Sequence, residues 1–102
     1  MGRKTLELMH TNHLPASLMP WSLLAIENPG MGFGLGSRVL LDVGEFKGSG
    51  SVGEYGWAGA AKTYYWVDPA EELVGVFMAQ YMTGIELPDR DFRSLVYAAI
   101  AD

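Results

Sequence analysis

Cysteine is missing from the 102 residues, so neither a disulfide nor a thiolate metal site is open to this chain. Histidine is scarce: His10 and His13 are the only two. They stand three residues apart and could share a helix face, but no carboxylate is spaced to complete a ligand set with them. No metal site and no cofactor is therefore expected. Basic residues are few and scattered, seven against twelve acidic ones, for a formal charge of −5. The lack of a Lys/Arg cluster argues against nucleic acid and against an anionic membrane surface as partners. No apolar run approaches the ~20 residues of a membrane-spanning helix. Met1-Gly2-Arg3-Lys4-Thr5 is basic but lacks the apolar region of a signal peptide. The expectation is a soluble chain, cytoplasmic by default.

Catalytic signatures are scarce too. No Ser is followed by Lys three residues on, no Tyr-x-Asn occurs, and no Gly-x-Ser-x-Gly elbow is present. Gly48-Ser49-Gly50-Ser51-Val52-Gly53 fits GxGxxG formally. It opens into Glu54-Tyr55-Gly56-Trp57 with no helix behind it, so a flexible loop explains it better than a phosphate cradle. Glu71, Glu72, Asp89 and Asp91 fall at turns and helix starts, where solvated charges and caps account for them.

What is present is a globular composition, 49% hydrophobic and 12% aromatic. The length suits one domain with one modest core. Leu6, Met9, His10 and His13 have helical spacing, which predicts a short N-terminal helix within residues 1–14, with Thr5 as a start. Residues 15–31 carry Pro15, Pro20 and Pro29 and read as an irregular apolar connector, suited to lying over another part of a larger protein. Gly32 to Val43 reads as one strand with Phe33, Leu35, Ser37, Val39 and Leu41 on one face. Gly44 to Gly53 is a Gly/Ser loop. A second strand is predicted at about 57–67, a turn at Asp68-Pro69-Ala70-Glu71-Glu72, and a third strand at Leu73–Tyr81. A last helix spans 88–102, with Asp89 as its N-cap and an apolar stripe of Phe92, Leu95, Val96, Ala99 and Ile100.

The fold class expected is α+β: a three-stranded antiparallel meander over 32–82, flanked by an N-terminal and a C-terminal helix. In such a meander Leu73–Tyr81 is an edge strand, yet it is patterned like a centre strand. A long apolar edge invites association. A homodimer through residues 73–81, or by exchange of an element, is therefore an expected partner state. A small apolar ligand where Trp57, Tyr64, Tyr65 and Trp66 cluster is a further expectation.

Several runs resemble one known family. They are Lys4-Thr5-Leu6-Glu7-Leu8-Met9 with Thr11-Asn12-His13-Leu14, then Gly32-Phe33-Gly34-Leu35-Gly36. Gly50 to Ala60 continues into Tyr64-Tyr65-Trp66-Val67-Asp68-Pro69, and Phe92-Arg93-Ser94-Leu95-Val96-Tyr97 closes the set. Together they resemble the C-terminal part of the serine β-lactamase-related family, which holds class C β-lactamases, β-lactamase-fold carboxylesterases and penicillin-binding-protein-like peptidases. The resemblance implies a partial β-lactamase/transpeptidase-like fold and a fragment of a serine hydrolase. Parent proteins of this kind are periplasmic or cytoplasmic. It places Trp57-Ala58-Gly59 at the family's third catalytic motif, with Ala58 where Gly is usual and Lys62 where a small residue is common. It makes Tyr55 and Trp57 substrate-binding and the backbone N–H of Ala60 one arm of an oxyanion hole. A backbone donor on a rigid strand end contributes roughly 3 kcal/mol in other hydrolases. The family's nucleophile motif and its second motif lie upstream of the matched region and have no counterpart here. The chain alone is expected to be inactive, with no catalytic residue of its own.

Overall fold

Large side chains at every second position make Tyr64–Asp68 the strand around which the sheet is organised. Tyr64, Trp66 and Asp68 point into the core, and Tyr65 and Val67 point the other way. The computed structural model describes residues 1–84 and 88–102. In these the chain is α+β, with three helices, a two-stranded sheet and a five-stranded sheet, both antiparallel. Helix α1 is Arg3–Met9. Strands β1 (Ser22–Leu23) and β2 (Ile26–Glu27) form the small hairpin. Strands β3 (Met31–Phe33), β4 (Arg38–Leu40), β5 (Tyr55–Ala58), β6 (Tyr64–Asp68) and β7 (Leu73–Phe77) form the large sheet in chain order. Helix α2 is Val43–Phe46 and α3 is Pro88–Ala98. Among the described residues no helix is long and apolar enough to cross a membrane.

The class agrees with expectation, but the sheet has five strands where three were expected. The two extra strands have one cause: two predicted strands are each a hairpin. Gly32–Val43 turns at residues 34–37, where Gly34 donates to the Ser37 carbonyl, and returns as β4. The predicted strand at 57–67 turns at residues 59–63, closed by Gly59 N–H to the Thr63 carbonyl, with Lys62 in the left-handed region. The expected Gly/Ser loop begins as α2, whose first turn is capped by the Asp42 side chain accepting from Glu45 N–H. The connector holds a 3-10 turn at Ala16–Leu18 and the β1–β2 hairpin. Helix α1 starts two residues before Thr5. Asp89 lies within the first turn of α3 and does not cap it; the residue preceding Pro88 is outside the described residues. The turn at Asp68–Glu72 is as expected, with Asp68 Oδ1 accepting from Ala70 and Glu71 N–H.

Helix α3 covers one face of the sheet. Phe92 meets the Trp66 ring edge-on at 5.9 Å and the Phe77 ring at 5.4 Å. Trp66 is fully buried, and its indole lies against Gly75, where a Cβ would overlap the ring. The expected stripe of α3 is only partly its buried face. Leu95 is 71% exposed, whereas Arg93 is 2% exposed. Arg93 Nη2 pairs with the equally buried Glu54, Nε donates to the Ser49 carbonyl at 2.7 Å, and Nη1 donates to Tyr64 Oη at 3.2 Å. Tyr97, one turn on, accepts from Trp66 Nε1–H at 3.1 Å. Its hydroxyl faces Asp68 Oδ2 at 2.7 Å and Glu54 Oε2 at 3.1 Å. One proton serves both contacts, and the shorter one takes it. Burial, together with the hydrogen bond to Asp68 and the charge of Glu54, pushes the Tyr97 phenol well above its ordinary value. Burial alone would lower Arg93, but the hydrogen bond that it donates to Glu54 and its attraction to Glu54 and the neighbouring Tyr64 and Tyr97 oxygens outweigh it and hold the guanidinium up.

The opposite face carries Val39, Tyr55, Tyr65, Val67, Val74 and Val76. The segment after α1 covers its β3–β5 side. His10 stacks on Tyr55, with ring centroids 3.4 Å apart, and its Nδ1 meets Ser37 Oγ at 3.1 Å. Asn12 Oδ1 accepts from Phe33 and Leu14 N–H, and His13 N–H donates to the Phe33 carbonyl. The β6–β7 side stays open, with Val74 65% and Val76 54% exposed.

Three outcomes follow from this packing. Glu54→Gln leaves Arg93 buried without its counter-charge and lowers stability by about 3–5 kcal/mol in urea unfolding. Glu54→Gln combined with Arg93→Met costs less than the two single changes added together. Gly75→Val forces the Trp66 indole from its seat and costs about 1–3 kcal/mol in the same measurement. Burial lowers the His10 imidazole below its ordinary value. The unfolded chain therefore binds that proton near pH 6.5 and the folded chain only at lower pH, so stability falls as pH drops through that window. His10→Phe keeps the ring stack without the titration. Its melting temperature should fall less than the parent's between about pH 7 and about pH 5.5.

Candidate functional site

The end of β5 and the turn after it open into a cleft. Trp57, Ala58, Gly59 and Ala60 form one wall of a cavity of about 460 Å³, within the usual range for small-molecule sites. The opposite wall comes from the β1–β2 hairpin with Trp21, Leu23, Leu24 and Ile26. Leu24 and Ala25 both take positive φ at the hairpin tip, a two-residue geometry with the twist that antiparallel strands require. The Trp21 indole donates to the Met31 carbonyl at 3.1 Å. Its ring lies nearly parallel to Trp57, at 12° and 6.3 Å between centroids, and Phe33 meets both rings edge-on. These aromatic contacts tie the two walls together.

Three of the expected site residues and the backbone donor are thus gathered in one place. No described group accepts a hydrogen bond from Ala60 N–H, and Ala60 is exposed to the cleft. The turn is held from behind by Tyr81 N–H donating to the Ala61 carbonyl and by Lys62 Nζ donating to the Gly84 carbonyl. Tyr55 is not with them. It lies two residues back on β5, under His10, and lines none of the cavities described. The four aromatics expected to cluster are separated by strand alternation. Tyr64 and Trp66 face α3, and Tyr65 faces the other way. Trp57, Tyr64 and Tyr65 still border an open hollow with Val76 and Met78, but Trp66 is sealed in the core. His10 and His13 do not converge: His13 Nε2 meets the Leu8 carbonyl at 2.8 Å. Among the described residues no group of three metal-ligating side chains lies together.

Arg38 was not foreseen. It stands on β4 with its guanidinium over the Tyr64 ring at 4.9 Å and the Trp57 ring at 5.8 Å. It lines the main cavity and also a smaller one of about 70 Å³ beside it, where Arg90 and Arg93 approach. Its one sequence signal is a charge inside an otherwise apolar strand, Arg38-Val39-Leu40-Leu41. The Glu54–Arg93 pair had a signal as well, since Arg93 and Tyr97 interrupt an apolar helix face at i, i+4 spacing.

No protein-family model and no curated protein sequence matches the chain. Among solved structures it is similar to EstCE1, a hydrolase with promiscuous acyltransferase activity, with a TM-score of 0.75 and 24% sequence identity. The likeness covers 92% of this chain and 24% of that protein, so the chain spans about a quarter of its length. What the comparison establishes is the fold: these residues are arranged as part of a hydrolase of known structure.

Proposed function

We propose that this chain is the sheet-side portion of a β-lactamase-related serine hydrolase and forms one wall of its substrate cleft. The observation that carries this reading is the end of β5, where Trp57-Ala58-Gly59 delivers the unengaged Ala60 N–H into an aromatic-walled cavity. A backbone donor fixed at a strand end meets developing negative charge without reorganising. Ala58 adds a methyl group where the resembled motif has Gly, which narrows the cleft. The likeness to a solved hydrolase supports the same reading. Among the described residues no serine with an activating base lines the cleft. Ser37, the one serine among the buried polar residues, contacts His10 and lines none of the cavities described. An oxyanion arm without nucleophile and base retains little of the chemistry. The purified chain should therefore give no turnover of p-nitrophenyl acetate or nitrocefin above buffer. Turnover abolished by a single Ser→Ala change would overturn the claim of inactivity.

A second reading is self-association. Strand β7 is the last of the described sheet, and Val74 and Val76 are exposed on it. An unpaired apolar edge is a template for another strand. Light scattering should show a dimer at micromolar concentration and a monomer for Val76→Lys. A parent chain that is monomeric at ten times that concentration would sink this reading.

A further inference from the structure

The cations of this acidic chain are unevenly placed. Of its seven Lys and Arg, Arg3 and Lys4 pair with Glu7, and Arg93 pairs with Glu54. Arg38, Lys47, Lys62 and Arg90 have no ion-pair partner among the described residues. Three of those four line the cleft: Arg38 and Lys62 in the main cavity, Arg38 and Arg90 in the smaller one. Asp89 lines both cavities and Glu27 the smaller. With Arg93 counted against Glu54, charge is balanced in the smaller hollow, while positive charge is in excess in the larger.

Arg38 is the residue common to both hollows that carries positive charge, and its setting is unusual. The guanidinium is held over two ring faces, and no described group accepts from its five N–H donors. Stacking fixes the plane of a guanidinium but leaves its edge unused. That edge is shaped for two parallel hydrogen bonds to a planar oxyanion. Trp21, Trp57, Leu23 and Leu24 give the cavity broad apolar and aromatic walls, beside the polar Asn28, Lys62, Thr63 and Asp89. We infer that the cleft binds small organic carboxylates with a flat apolar body. The carboxylate sits on the Arg38 fork, Lys62 adds longer-range attraction, and the body packs against the tryptophans. This rests on the reading of the cleft as a ligand site and not on any hydrolytic step.

The test compares 2-naphthoate with its neutral isostere 2-naphthamide by nitrogen-15 NMR titration of the full chain. The carboxylate should bind at least about ten times more tightly, as expected of a charge-assisted bidentate pair. Its shifts should centre on the Arg38 Nε–H and the Trp57 indole N–H. Arg38→Gln should bring the two ligands to the same affinity, and Lys62→Gln should weaken the carboxylate alone. If Arg38→Gln does not fold, the Arg38 Nε–H shift in the parent chain and the Lys62→Gln comparison decide instead. Equal affinity of the parent for both ligands overturns the carboxylate assignment and leaves the ligand cleft standing. Binding of neither ligand overturns both. Naphthoate shifts confined to Tyr65, Val76 and Met78 would place the ligand on the other face and overturn the assignment to Arg38.

Discussion

Arg93 brings a full charge to a position 2% exposed, and the chain around it is arranged to meet that charge. Removing a guanidinium from water costs several kcal/mol unless its donors are all engaged. Here each nitrogen has a partner from a different part of the chain: Ser49 in the loop after α2, Glu54 at the start of β5, and Tyr64 on β6. Any other rotation or depth of α3 on the sheet would leave that charge without partners. The pair thus sets where the helix docks, whatever it adds to net stability. It also explains one glycine of the loop. At Gly50 a Cβ would overlap both Arg93 and Glu54, so the backbone passes as close as it does only without a side chain.

The same cluster reaches the cleft through a short series of contacts. Arg93 holds the Tyr64 hydroxyl, the Tyr64 ring lies under the Arg38 guanidinium, and Arg38 lies over Trp57. These contacts fix positions; they carry no switch, because no second arrangement of them is in view. Their effect is to hold a cationic side chain and an indole at defined places on the cleft wall. Sites built on sheet positions with packed neighbours are more precise than sites on loops alone.

Much of this was legible in the sequence, and the rest was hidden for identifiable reasons. The Asp68–Glu72 turn was readable because Asp and Pro have specific local chemistry. Trp57-Ala58-Gly59 and Ala60 were readable as a unit because they are contiguous, and the structure keeps them together at the cleft. The two hairpins are hidden because Gly34, Gly36 and Gly59 also fit within strands; periodicity alone does not mark where a strand reverses. Tyr55 enters the expected site through the family resemblance, but it is taken up by the stack with His10. Arg93 and Arg38 are hidden in the sequence because a charge in an apolar element is ordinarily solvent-facing. Here aromatic rings and buried carboxylates make the exception.

The two faces of the sheet are finished to different degrees. On the α3 side the described buried polar side-chain atoms all have partners, and Trp66 is sealed by Gly75, Phe92 and Tyr97. On the other side the segment after α1 covers Tyr55 and stops short of Tyr65, Val74 and Val76. The cleft lies at the end of the strands, where both its walls are hairpin turns. A backbone donor such as Ala60 N–H is placed by a short stretch of chain: the 59–63 turn closes through Gly59 and Thr63 and is braced from behind by Tyr81. A nucleophile and its base need side chains brought from separate elements. A short piece of a fold can therefore position a backbone donor such as this one, whereas constellations of side chains draw on elements farther apart in the chain.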